Sequence, residues 1–147
     1  MTAKDKQHLL FKQLKEICER HHVEIMYAFG SRCLEVMRYI TGKGSMDKNN
    51  PSDVDIGIKP SKGYLISVRD KVKLAIEIED LLSVGRVDLV VLSEADPFLA
   101  ANIIRGQRLF CENSYIADEY ELYILRRAGD LAPLERERLN LILGKAK

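Results

Sequence analysis

Cysteine is scarce in this chain and follows no pairing pattern. Cys18, Cys33 and Cys111 are odd in number, with no Cys-x-x-Cys among them. Neither a disulfide framework nor a cysteine-built metal site is indicated, and reduced thiols are the expectation. Histidine is equally thin: His8, His21 and His22 show no ligand spacing with one another or with a cysteine. His21-His22 reads as the solvated end of a helix. No apolar run approaches the ~20 residues of a membrane span, and the polar start shows no signal peptide. A cytoplasmic protein with no membrane partner is therefore expected. Charge of one sign is not in excess either, since the formal net charge is +1. Nothing in that total calls for nucleic acid. With 147 residues, 46% of them apolar and 31% charged, the chain is long enough for one well-filled domain and too short for two. No internal repeat and no dividing linker is visible, so residues 1–147 are taken as one domain, with a core over about 23–112 and a helical extension over about 113–147.

What is present alternates between two periodicities. Leu10, Phe11, Leu14, Ile17 and Cys18 recur at helical spacing over residues 5–20. Residues 23–29 read as a strand that stops at Gly30. A short helix begins at Ser31, with Leu34, Met37 and Ile40 inward. Residues 41–52 are rich in Gly, Lys, Asn, Ser and Pro, have no periodicity, and are expected to form a mobile loop. A second strand covers 53–58, and a helix over 67–82 carries Val68, Val72, Ala75, Ile76, Glu79 and Leu82 along one side, Glu79 being the misfit. A third strand covers 87–92. Asp96-Pro97 opens a helix, with Asp as cap and Pro in its first turn; Leu99, Ile103 and Ile104 form its apolar side. A short strand over 108–111 precedes two helices, 115–127 and 134–143, split at Gly129–Pro133. This order predicts an α/β (α+β) fold with a small mixed sheet flanked by helices.

Three carboxylates break the apolar pattern. In Ser52-Asp53-Val54-Asp55, alternation along a strand puts Asp53 and Asp55 on one face and Val54, Ile56 and Ile58 on the other. Two close carboxylates repel, and burial worsens it, unless a cation or an open cleft compensates. Asp88 repeats the anomaly within Val87-Asp88-Leu89-Val90-Val91-Leu92, and shares the cavity if its strand adjoins the second. Mg²⁺ prefers oxygen ligands and commonly takes carboxylates together with phosphate oxygens. Three acids suit a two-metal displacement at phosphorus. Gly30-Ser31 supplies the complement: a glycine lets backbone approach a ligand, and a helix start faces free N–H groups toward phosphate. Singly, Asp-x-Asp also fits a solvated strand end, and Gly-Ser an ordinary helix cap.

Taken in order, Phe29-Gly30-Ser31-Arg32, Ser52-Asp53-Val54-Asp55-Ile56-Gly57 and Val87-Asp88-Leu89-Val90 resemble the motifs of the nucleotidyltransferase superfamily of the DNA polymerase β type. Its minimal nucleotidyltransferases are the nearest in pattern. The segment from Asp96-Pro97 to Phe110 is similar to the family's stretch after the third acid. The resemblance implies Asp53, Asp55 and Asp88 as catalytic residues and ligands of Mg²⁺, with two ions in such a site. It implies Gly30, Ser31 and Arg32 at the triphosphate, and transfer of AMP from ATP with release of pyrophosphate. Small members of the family are often antitoxins that adenylylate a tyrosine of a HEPN-domain ribonuclease toxin. Such a toxin is therefore the expected partner, with a homodimer or hetero-oligomer possible and no direct nucleic-acid contact expected. Transfer to a small molecule such as an antibiotic, and neutralisation by contact alone, are the alternatives. The chain departs from the family in two ways: 21 residues separate Ser31 from Asp53, about twice the usual spacing, and the usual Arg-x-x-Gly is absent. Lengthening a loop twofold costs only about 0.6 kcal/mol. Lys43 and Lys48 in that loop either reach a phosphate or serve solubility. The apolar residues of the C-terminal helices, Ile116, Tyr120, Tyr123, Ile124, Leu134, Leu139, Ile142 and Leu143, are read as core, with a partner surface as the alternative.

Overall fold

The computed structural model describes residues 2–143. Its elements run α1 (Ala3–Arg20), β1 (Val23–Phe29), α2 (Cys33–Ile40), β2 (Val54–Pro60), α3 (Val68–Leu82), β3 (Val87–Val91), a 3-10 turn (Leu92–Glu94), α4 (Pro97–Ile104), β4 (Gln107–Cys111) and α5 (Ser114–Ile142). The four strands form one sheet in the order β3-β2-β1-β4. β1 is antiparallel to both β2 and β4, while β2 and β3 are parallel and joined through α3. The expected mixed sheet flanked by helices is what forms. No described helix is long and apolar enough to cross a membrane.

Side-chain alternation gives the sheet two apolar faces. One carries Met26, Ala28, Val54, Ile56, Ile58, Val87 and Val91 against α1, α2 and α3. The other carries Ile25, Tyr27 and Phe29 against α4 and α5. On this second face a partly buried polar network fixes α5. The Tyr27 hydroxyl donates to Glu121 (2.7 Å), which also accepts from Arg108 Nε (2.9 Å), and Arg108 donates to Asp118 (2.7 Å). Burial pushes the Tyr27 phenol well above its ordinary range, helped by the adjacent Glu121 carboxylate. Burial works against the charge of Arg108, but its bonds to Asp118 and Glu121 win and hold its guanidinium above its ordinary value.

The structure corrects several expectations about faces. In α3 the buried row is Leu74, Ile78 and Leu82; of the expected side Leu82 is buried, whereas Val68, Val72 and Ile76 are exposed. Three large side chains at i, i+4 and i+8 bury more area than a row containing Val, Ala and Glu, at ~1.5–3 kcal/mol for each side chain buried. Glu79, the misfit, accepts a hydrogen bond from Val87 N (2.9 Å) and so ties α3 to the start of β3. In α2, Val36 and Ile40 point inward and Leu34 is exposed. Phe11 of α1 is also exposed, leaving Leu14, Ile17 and Cys18 to pack. His21 is largely shielded and pairs with Glu77, whereas His22 is exposed, as expected, and lies against Tyr64.

The C-terminal segment forms one helix, not two. α5 runs unbroken through Gly129 and Pro133. Proline removes one i→i−4 bond and crowds the carbonyl four residues back; that residue is Gly129, whose backbone adjusts with the least penalty. Of the residues read as core, Ile124 is buried and Tyr120 partly so. Ile116, Tyr123, Leu134, Leu139, Ile142 and Leu143 are exposed. Ala117 and Ala128 complete the packed stripe.

At Gly57 of β2 the helix α4 packs directly onto the strand, since a Cβ there would overlap Ile103 Cγ2. Gly57→Ala is expected to lower stability by about 1–3 kcal/mol, read as a fall in the urea midpoint. An unchanged midpoint would mean that α4 moves off the sheet without cost.

Candidate active site

Register assembles the site at one end of the sheet. Phe29, the last residue of β1, is the pairing partner of Asp55 in β2, and Asp55 is the partner of Asp88 in β3. In-register neighbours project to the same face, so Asp55 and Asp88 stand side by side. Gly30 comes directly after Phe29 with φ 76°, a left-handed conformation natural to glycine. A Cβ at Gly30 would collide with the Asp55 carboxylate. The glycine therefore supplies both the turn and the room for Asp55. Asp53 is the residue immediately before β2. Its neighbour Val54 donates its N–H to the Arg86 carbonyl (3.2 Å).

Electrostatics show what this gathering costs. The Asp55 carboxyl is held above its ordinary value, first by burial and then by the charges of Asp88 and Asp53. Arg86 leans between the other two, its guanidinium 3.5 Å from Asp53 and 4.0 Å from Asp88. It is 71% exposed, so these pairs contribute little. Among the described residues, no three His, Cys, Asp or Glu side chains converge as a metal-holding group. Asp53 and Asp88 point to Arg86, while Asp55 fills the space beside Gly30. The donor set nevertheless fits Mg²⁺: all oxygen, close enough to repel, and backed by a turn without a side chain.

The sequence matches the family described as "Polymerase beta, Nucleotidyltransferase" over residues 12–115. The chain belongs to this family. No curated protein sequence matches it. In structure, this polymerase β-type nucleotidyltransferase is similar to a chain of the complex of a tri-AMPylated Shewanella oneidensis HEPN toxin with MNT antitoxin. That likeness has 15% identity and a TM-score of 0.65, covering 93% of this chain and 98% of that one. It is also similar to the toxin–antitoxin MntA-HepT, with 14% identity and a TM-score of 0.65, covering 92% and 98%. A toxin–antitoxin structure with AMP-PNP gives 18% identity and a TM-score of 0.61, covering 90% and 94%. At these identities the likeness concerns the fold.

Within the nucleotidyltransferase frame, the six residues singled out from sequence do not all meet. Gly30, Asp55 and Asp88 are brought together, with Asp53 at their edge. Ser31 lies exposed in the turn and is not the cap of α2. That helix begins at Cys33, after Arg32, with no side-chain cap. The Gly30 carbonyl accepts from Cys33 N (3.3 Å), inserting one tight turn before the helix. Arg32 is turned inward, 4% exposed, with bonds to Glu35, Asp47 and Ser52. Sequence reading missed Arg86, although a cation two residues before Asp88, just ahead of β3, was a signal for it.

Asp55 yields a pH test. A carboxyl whose pKa is raised on folding contributes stability below its unfolded value, and loses it as pH rises through the folded value. Ionised Asp55 is thus a burden at neutral pH. In the absence of divalent metal, Asp55→Asn is expected to raise the urea midpoint at pH 7, with the gain vanishing near pH 3, where both forms are uncharged. A gain that does not change with pH would assign the effect to packing. Gly30→Ala is expected to weaken Mn²⁺ binding, measured by calorimetry, as the new methyl displaces the Asp55 carboxylate. Unchanged affinity would show that the carboxylate relocates freely.

Proposed function

We propose that the chain is a Mg²⁺-dependent adenylyltransferase that moves AMP from ATP to a tyrosine of a HEPN-domain toxin, and so acts as an antitoxin. The observation that carries this is the register that places Asp55 against Asp88, beside a glycine turn kept clear for it. The solved structures of this fold support the acceptor: one holds an AMPylated HEPN toxin with its antitoxin, and another a toxin–antitoxin with AMP-PNP.

Asp53 and Asp55 would hold both metal ions and Asp88 one of them; bound Mg²⁺ supplies neutralisation of the triphosphate and the departing pyrophosphate. The Gly30–Ser31 turn offers backbone N–H groups and the Ser31 hydroxyl to the triphosphate. The tyrosine oxygen attacks the α-phosphorus. The bond from that phosphorus to the oxygen bridging to the β-phosphate breaks, and pyrophosphate leaves. Asp88, the more open of the paired strand acids with 56% of its side chain exposed, takes the phenolic proton as general base. Neutralisation by contact alone explains less, because a binding surface has no use for three repelling carboxylates held at one sheet end.

The test incubates the protein and a HEPN toxin with Mg²⁺ and ATP and reads the toxin by intact mass. Addition of AMP on tyrosine, abolished by Asp55→Ala with the complex retained, is the expected result. A complex that suppresses the ribonuclease with no mass change would replace the enzyme by a contact neutraliser.

A further inference from the structure

Arg32 sits in the polypeptide beside the Gly30–Ser31 turn, yet its hydrogen bonds run to Glu35 of α2 and to the backbone ahead of Asp53. Nε and Nη2 donate to the two oxygens of Glu35 (2.9 and 2.8 Å). Nη2 also donates to the Asp47 carbonyl (3.0 Å) and Nη1 to the Ser52 carbonyl (2.9 Å). Glu35 in turn accepts from Asp47 N (2.5 Å). A buried guanidinium is tolerated only when paired and hydrogen-bonded in this way. The Ser52 carbonyl belongs to the peptide unit that ends at the Asp53 Cα, and that unit is planar. Holding this oxygen therefore sets the direction from which Asp53 enters the site. On its other side Asp53 is held through Val54 N and the Arg86 carbonyl. The long connection between Ser31 and Asp53 thus closes onto its own beginning.

We propose that Arg32, locked by Glu35, is a positioning residue that couples the glycine–serine turn to Asp53 and sets the placement of that carboxylate for metal binding and transfer. The inference rests on the adenylyltransferase reading. It assigns Arg32 a place behind the site, with no contact to phosphate. Only the arginine fork satisfies Glu35 and two carbonyls at once; a lysine keeps the charge and loses the geometry.

The experiment compares Arg32→Lys and Glu35→Gln with the wild type and with Asp53→Asn, measuring Mn²⁺ affinity by calorimetry without nucleotide, kcat and KM for ATP, and backbone hydrogen exchange of residues 52–54. Both variants are expected to weaken Mn²⁺ binding and to lower kcat by on the order of tenfold to 10²-fold, the scale of a misplaced group, with KM for ATP nearly unchanged. Exchange at 52–54 should quicken. In the Asp53→Asn background, Arg32→Lys should cost nothing further, since its effect passes through Asp53. A raised KM with unchanged kcat would make Arg32 a phosphate ligand and overturn the proposal, as would an equal loss with and without Asp53. If Arg32→Lys does not fold, Glu35→Gln carries the same comparison. If the wild type binds neither Mn²⁺ nor ATP, the adenylyltransferase reading falls by itself. Exchange at 52–54 then decides the coupling: unchanged rates in Glu35→Gln would sink it.

Discussion

The pairing of β2 with a strand on each side is the constraint on which the rest of the molecule depends. β1 reaches its end where β2 and β3 begin, so one short line of backbone carries the glycine turn, Asp55 and Asp88. Burial of Asp55, and after it the charges of Asp88 and Asp53, oppose this arrangement and hold the Asp55 carboxyl above its ordinary value. It persists because backbone ladders and two apolar faces, with Val54, Ile56 and Ile58 on one side and Ile103 on the other, fix β2 in place. The energy that holds the acids together is spread over the core and little of it is local.

Around that line, side chains of the flanking helices reach back to the backbone just ahead of the acids. Glu79 of α3 receives the N–H of Val87, and Glu35 of α2, with Arg32, holds the residues before Asp53. Glu79 replaces a ladder bond that the start of β3 lacks, while Glu35 satisfies a loop N–H at Asp47 and Arg32 the Ser52 carbonyl, each the way an unsatisfied backbone group is ordinarily met. The tyrosine, glutamate and arginine network on the opposite face does comparable work for α5.

Much of this was legible in the sequence, because alternation and register are local properties. The strand over 23–29 and the helix opened by Asp96-Pro97 arise from periodicity and capping, and the three acids stood out as charges in apolar runs. What escaped was set by tertiary choice. Two rows of α3 were both apolar enough to face inward, and only the sheet decides between them. The residues 41–52 look mobile by composition, yet Met46 is buried in the core. Asp47 and Asn50 close turns on Asn49 N and Ser52 N, so the loop is pinned. Gly129 and Pro133 are strong breakers on paper, but one helical turn apart in a long helix they accommodate each other. Arg32 read as a phosphate ligand because its neighbours did, and only the fold reveals that its fork turns inward.

β3 is short and closes one side of the sheet. Strands in that position offer unpaired backbone to any other extended chain, and a charge on them discourages such growth. Asp88 and Arg86 stand on that margin. A carboxylate and a guanidinium at that edge discourage pairing with another extended chain, so the charges that meet at the sheet end also blunt its open side.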